Sequence, residues 1–182
     1  MQQPAAVSLV VLTPNHPWRD QVLALDPGPG REIFSGRVAR TLPAAEADPH
    51  RTPFVIAAAA TPPIPVGFGV LDRVGILAEL VDQPSRAVLL RGFFVDLAQQ
   101  GRGFGTAAAR QVRELAAELH GDAELVVLTV NQTNLAGVSA YRRAGFVDTG
   151  TLYLGGPNGP QQVMVTSVPR RARLARAAPG RS

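Results

Sequence analysis

AVLLRGFFVDLAQQGRGFGTAAARQVRELAAEL, residues 87–119, is the stretch whose reading decides the fold. Its first nine residues are apolar and β-branched enough to form a strand, with Gly92 marking a bulge or a close backbone approach. Gln100-Gly101-Arg102-Gly103-Phe104-Gly105-Thr106 follows as a glycine-rich turn. Ala108, Val112, Leu115 and Leu119 then recur at steps of four, three and four, which is one face of an α-helix. Strand, glycine turn and helix in that order make an anion site. The first helix amides lack intrahelical partners and concentrate positive potential. Glycines let that backbone approach a phosphate, and Arg102 adds a charge able to pair with one.

Three phosphate-binding readings compete for this turn. A P-loop requires Gly-Lys-Ser/Thr, and the chain contains no lysine: all 18 of its basic residues are arginine. A dinucleotide fingerprint requires G-x-G-x-x-G and an acid ending the next strand. Here the spacing is G-x-G-x-G, and Glu124 begins a strand instead of ending one. The third reading is an acyl-CoA turn, Q/R-x-x-G-x-G/A, which Gln100, Gly103 and Gly105 match.

Outward from this unit the chain reads as strands and helices in one continuous pattern. Residues 7–12 read as a strand, 18–25 as a short helix, and 54–59 and 66–71 as a hairpin. Residues 31–52 are ambiguous: Val38, Leu42 and Ala45 have helical spacing, but Pro43 interrupts it. Residues 124–130 form a nearly continuous apolar run, as expected of a strand buried on both faces. Asn131 to Asn134 offer helix caps, and Gly145 suits the left-handed position that ends the helix. Two further strands, 146–154 and 162–168, flank a Gly/Pro turn.

Composition sets the outer bounds. The chain has 182 residues, 46% hydrophobic and 18% charged, so one globular domain is expected. It has no cysteine, which excludes disulfides, thiolate nucleophiles and zinc–thiolate sites. No metal site is expected. The net charge of +4 is concentrated at one end: Arg170, Arg171, Arg173, Arg176 and Arg181 leave residues 1–169 at −1. The expectation is a single domain over 1–169 and a basic, disordered tail over 170–182. That tail lacks interleaved aromatics, so nucleic acid is not expected as a partner. No apolar stretch approaches the ~20 residues of a membrane span, and a cytoplasmic protein without a membrane partner is the default.

A second motif downstream narrows the alternatives. Val130-Asn131-Gln132-Thr133-Asn134-Leu135-Ala136-Gly137-Val138-Ser139-Ala140-Tyr141-Arg142-Arg143-Ala144-Gly145-Phe146 fits V-x-x-x-N-x-x-A-x-x-x-Y-x-x-x-G-F in its Val, Asn, Tyr and Gly-Phe positions. Together with Phe93-Phe94-Val95 and QQGRGFGT, it resembles the GCN5-related N-acetyltransferase superfamily over roughly residues 85–168. The resemblance implies an α/β (α+β) fold: a mixed, twisted sheet of six to seven strands, about four helices, and two central parallel strands that splay apart.

The resemblance also implies roles. Backbone groups of Phe93, Phe94 and Val95 would pair with the pantetheine arm of acetyl-CoA. Amides of Gln100, Gly101, Arg102, Gly103, Phe104, Gly105 and Thr106 would hold its pyrophosphate, and Asn134 would hydrogen-bond its arm. Tyr141 would sit near the sulfur, where a phenol can donate to the leaving thiolate. The implied activity is transfer of an acetyl group to a primary amine, small-molecule or peptide, in a ternary complex. The alternative is a non-catalytic acyl-CoA-binding regulatory domain. Homodimers are common among relatives of this kind. The turn at 155–160 loosely resembles small-amine acetyltransferases. Leu89 and Arg91 stand where some relatives carry a glutamate, and Asp96, Glu79 and Asp82 read as solvated loop charges. No base is assigned. Residues 14–52 and 72–86 are where acceptor choice is expected, and the acids and arginines of 14–52 balance evenly.

Overall fold

A computed structural model describes residues 5–156 and 158–170. Of the basic tail expected over 170–182, residues 171–182 lie outside these residues. In chain order the elements are β1 (Val7–Val11), α1 (Arg19–Leu23), α2 (Glu32–Ser35), α3 (Val38–Glu46), β2 (Arg51–Ala58), β3 (Ile64–Asp72) and α4 (Leu77–Leu80). There follow β4 (Ala87–Val95), α5 (Phe104–Leu119), β5 (Leu125–Asn131), α6 (Leu135–Arg143), β6 (Val147–Tyr153) and β7 (Gln161–Ser167). The strands form one seven-stranded sheet in the order β1-β2-β3-β4-β5-β7-β6. Only β4 and β5 are parallel, joined by the α5 crossover; every other pair is antiparallel.

The β4–β5 ladder is short. It holds Ala87↔Leu125, Val88↔Val126 and Leu89↔Val127, and then stops. β4 continues to Val95 and β5 to Asn131, so the two strands diverge into a V. The expected splay is present. β4 stays paired to β3 on its other side as far as Gly67↔Val95, and β5 stays paired to β7 along its whole length.

Two layers cover the sheet. On one face α5 buries Ala108, Ala109, Val112 and Ala116 against Val88, Leu90, Val126 and Leu128. Small alanines let the helix lie close, while Val112 contributes roughly 1.5–3 kcal/mol by burial. On the other face α3 packs Val38, Leu42 and Ala45 against Val55, Phe68, Val70 and Phe94. Pro43 lies inside α3 and does not interrupt it. Its missing N–H costs one helical bond, and the buried stripe of Val38, Leu42 and Ala45 keeps the helix intact.

Gly92 forms the bulge that the sequence suggested. Phe68 pairs with Phe94, but Val70 pairs with Arg91, so two β4 residues oppose one on β3. Gly92 has φ +58°, in the left-handed region. A bulge shifts the phase of side-chain alternation. Val88 and Leu90 face α5 before it, and Phe93 and Val95 face that side after it. A Cβ at Gly92 would stand 3.1 Å from Thr41 Cγ2 and 3.5 Å from the Ser35 carbonyl. Gly92→Ala is expected to lose about 1–2 kcal/mol from the left-handed backbone alone. Urea unfolding measures this, and an unchanged midpoint would refute the account.

Candidate functional site

The V between β4 and β5 is a cleft lined by Leu90, Arg91, Gly92, Phe93, Thr129, Val130, Asn134 and Tyr141, with Asn131, Asn158 and Gln161 at its β7 side. Sequence-distant residues meet here because β5 leads directly into α6. Asn134 caps α6, its Oδ1 accepting from the Gly137 amide at 3.0 Å. Tyr141 lies two turns further along. Its ring is 5.9 Å from Phe93, tilted, and 5.6 Å from Phe146, edge-on. The bulge is what turns Phe93 toward this cluster. The Phe146 and Ala144 amides both bond the Tyr141 carbonyl at 3.0 Å, closing the helix onto β6. Burial among these rings pushes the Tyr141 phenol above its ordinary value, so it is protonated at neutral pH.

The glycine turn occupies the open mouth of the V, at the start of α5. Gly103 is the helix cap at φ +82°. The Ala107 amide makes the first bond of the helix, to the Gly103 carbonyl at 3.0 Å. Among the described residues, the amides of Gly101, Gly103, Phe104, Gly105 and Thr106 have no backbone acceptor. Nothing lies within 4 Å of a Cβ built on Gly101. The result is a cradle of unpaired N–H groups suited to a phosphate. The Arg102 guanidinium sits 5.1 Å over the Phe104 ring at the edge of this cradle.

Gln100 has a separate task. Its Nε2 donates to the carbonyls of Val95 and Pro27, both at 2.9 Å, and its Oε1 accepts from Arg31. The backbone amide of Gln100 bonds Leu97 at 3.4 Å. The side chain therefore ties residues 27–31 to the end of β4 and sets where the turn begins. Of the three β4 residues singled out, Phe93 and Val95 face the α5 side, while Phe94 is buried against Phe68 on the other.

The acids named from sequence are placed as structural groups or surface charges. Asp96 caps the turn after β4, accepting from the Ala98 and Asp26 amides at 3.0 Å. Glu79 and Asp82 are exposed. A buried carboxylate that sequence reasoning missed is bound to Arg91 of the cleft lining. Asp72 ends β3 with 1% of its surface exposed, and it bonds Arg51 at 2.9 Å and Arg91 at 3.0 Å. Burial raises its pKa, but the Val74 amide and the Arg91 and Arg51 guanidiniums outweigh that and hold it below the ordinary value. Its signal in the sequence was a charge closing the apolar run 66–71. The partners become visible only once the register sets Arg51 opposite Asp72.

Residues 19–146 match the acetyltransferase (GNAT) family. The chain belongs to that family. Solved structures agree with this GNAT fold. An aminoglycoside acetyltransferase, AAC(6')-Ib, in complex with coenzyme A superposes with a TM-score of 0.68 at 18% identity, over 89% of this chain and 95% of that one. A spermidine N-acetyltransferase from Vibrio cholerae in complex with CoA and spermine gives 0.62 at 16% identity, over 89% and 95%. A domain from Methanocaldococcus jannaschii DSM 2661 gives 0.63 at 11% identity, over 90% and 99%. No curated protein matches the sequence. Among the described residues, no helix is long and apolar enough to cross a membrane.

Asp72 gives this GNAT domain an acid-labile core contact. Its depressed pKa contributes stability above the unfolded value of about 3.9, and that contribution is lost as pH falls through the folded value. Asp72→Asn is expected to cost about 1–3 kcal/mol at pH 7 and to flatten the loss of stability below pH 4. Denaturant unfolding of both proteins at pH 7 and pH 3 tests this; equal acid sensitivity would rule it out.

Proposed function

We propose that this protein is an N-acetyltransferase that moves the acetyl group of acetyl-CoA to a primary amine, directly, in a ternary complex. The observation that carries this reading is the V-shaped gap between β4 and β5, with unpaired amides at its mouth and Tyr141 on its wall. Past Leu89, one edge of β4 has no strand beside it. An extended amide-bearing arm can add to such an edge as a strand would. The cradle from Gly101 to Thr106 suits the pyrophosphate, and Arg102 stands beside it. Asn134 lines the gap where its Nδ2 can meet the arm.

The chemistry balances without a covalent enzyme intermediate. The neutral amine attacks the thioester carbonyl, the C–N bond forms, and the C–S bond breaks. The nitrogen gives up one proton and the sulfur gains one. The Tyr141 phenol lies on the wall of the cleft, and a phenol is protonated at neutral pH and able to donate a hydrogen bond. From that wall it acts as a hydrogen-bond donor that stabilises charge developing on sulfur.

Among the described residues lining the cleft there is no carboxylate and no imidazole. The amine must then arrive neutral or lose its proton to water. Hence kcat/KM is expected to rise with pH following the free-base fraction of the acceptor, shifting when an acceptor of different pKa is used. An inflection near pH 6–7 that stays fixed across acceptors would instead indicate an enzyme base.

Tyr141→Phe separates enzyme from binding module. It is expected to lower kcat by about 10²–10³-fold while leaving the Kd for CoA within about twofold. Stopped assays of CoA release, with calorimetric titration of CoA, measure both. Unchanged turnover would reduce Tyr141 to a packing aromatic.

A further inference from the structure

A second pocket lies on the α3 face of the sheet, next to the cleft. It encloses about 270 Å³, at the lower end of the roughly 300–1,000 Å³ of small-molecule sites. Four arginines line it, Arg37, Arg40, Arg51 and Arg91, with Thr41 and no acid. Arg91 lines the cleft as well, so the two spaces share a wall. Thr41 touches the position a Cβ would take on Gly92, the bulge at the point of splay.

The local charges do not balance. Asp72 is shared between Arg51 and Arg91, and Asp48 is drawn to Arg51 at 3.2 Å. Glu32 lies 3.8 Å from Arg37. Among the described residues, Arg40 has no carboxylate partner. Its exposed guanidinium therefore joins three others around a pocket one carboxylate short of neutrality. Such a site repels a polycation and accepts an anion through charge-assisted hydrogen bonds.

We propose that this pocket binds an anionic group of the acceptor, a carboxylate or a phosphate, so that the substrate is an amine that also carries a negative charge. The inference rests on the acetyltransferase reading and goes beyond it in naming the substrate class. The anion anchors among Arg40, Arg37 and Arg91, and the amine of the same molecule reaches past Arg91 into the V.

The test is CoA release with acceptors in matched pairs: 4-aminobutyrate against n-butylamine for carboxylate, and glucosamine 6-phosphate against glucosamine for phosphate, with spermidine as the polycation. The anionic member of at least one pair is expected to exceed its partner at least tenfold in kcat/KM, and which pair responds identifies the anion. Arg40→Gln, at an exposed helix position, is expected to collapse that preference at least tenfold through the KM of the anionic acceptor, with the KM for acetyl-CoA retained. Equal use of both members, or a preference for spermidine, overturns the proposal and leaves the acetyltransferase reading standing. If no amine releases CoA, that reading fails instead. Calorimetric titration of the same compounds into CoA-saturated protein then decides the pocket. Tighter binding of the anions that Arg40→Gln abolishes supports it, and no difference overturns it.

Discussion

Between β4 and β5, three residue pairs are laddered and the rest are not. A gap in the middle of a sheet leaves backbone donors and acceptors without their ordinary partners, and such groups are costly to bury unpaired. The surrounding structure is arranged to keep the strands apart and the gap open to a polar ligand. β3 holds one side of β4, and β7 holds the far side of β5. Phe93, Tyr141 and Phe146 pack as a three-ring cluster on the α5 side, so closing the strands would require repacking these rings.

The bulge at Gly92 links that gap to both faces of the molecule. By adding one residue to β4 it turns Phe93 toward Tyr141 and leaves Arg91 and Phe94 on the α3 face. It also lets α3 approach, with Thr41 against the only side of Gly92 a larger residue would fill. The glycine turn at the start of α5 is fixed differently, by the Gln100 side chain clamped between Val95 and Pro27. The glutamine of this motif thus positions the turn, and the amides after it remain unpaired.

Charge is distributed by function across the two sides of the sheet. The α5 side of the V carries an aromatic cluster and a neutral phenol. The α3 side carries arginines gathered around one buried carboxylate. Asp72 is the reason those arginines can stand so close: without its charge Arg51 and Arg91 would repel each other. The acids that offset arginines elsewhere in this region are engaged away from the pocket, as Glu46 is with Arg19 at 2.8 Å.

Local sequence was sufficient for β4, the glycine turn and α5, because apolar periodicity and glycine placement are properties of neighbouring residues. It also gave the two motifs, and hence the GNAT resemblance that the family match bears out. It misjudged Pro43, since the burial that holds α3 together comes from strands far along the chain. It could not find Asp72, whose partners are 21 and 19 residues away and meet it only through strand register. The even balance of acids and arginines over 14–52 was uninformative as a count. Folding sorts those charges in space: Glu46 is drawn to Arg19, Glu32 and Asp48 to Arg37 and Arg51, and Arg40 stands at the pocket with no carboxylate partner among the described residues. The two motifs and the family resemblance they carry thus made the fold legible along the chain, while the placement of charge beside the glycine-led V was decided only by tertiary structure, because electrostatics depends on distance in space and not on separation in sequence.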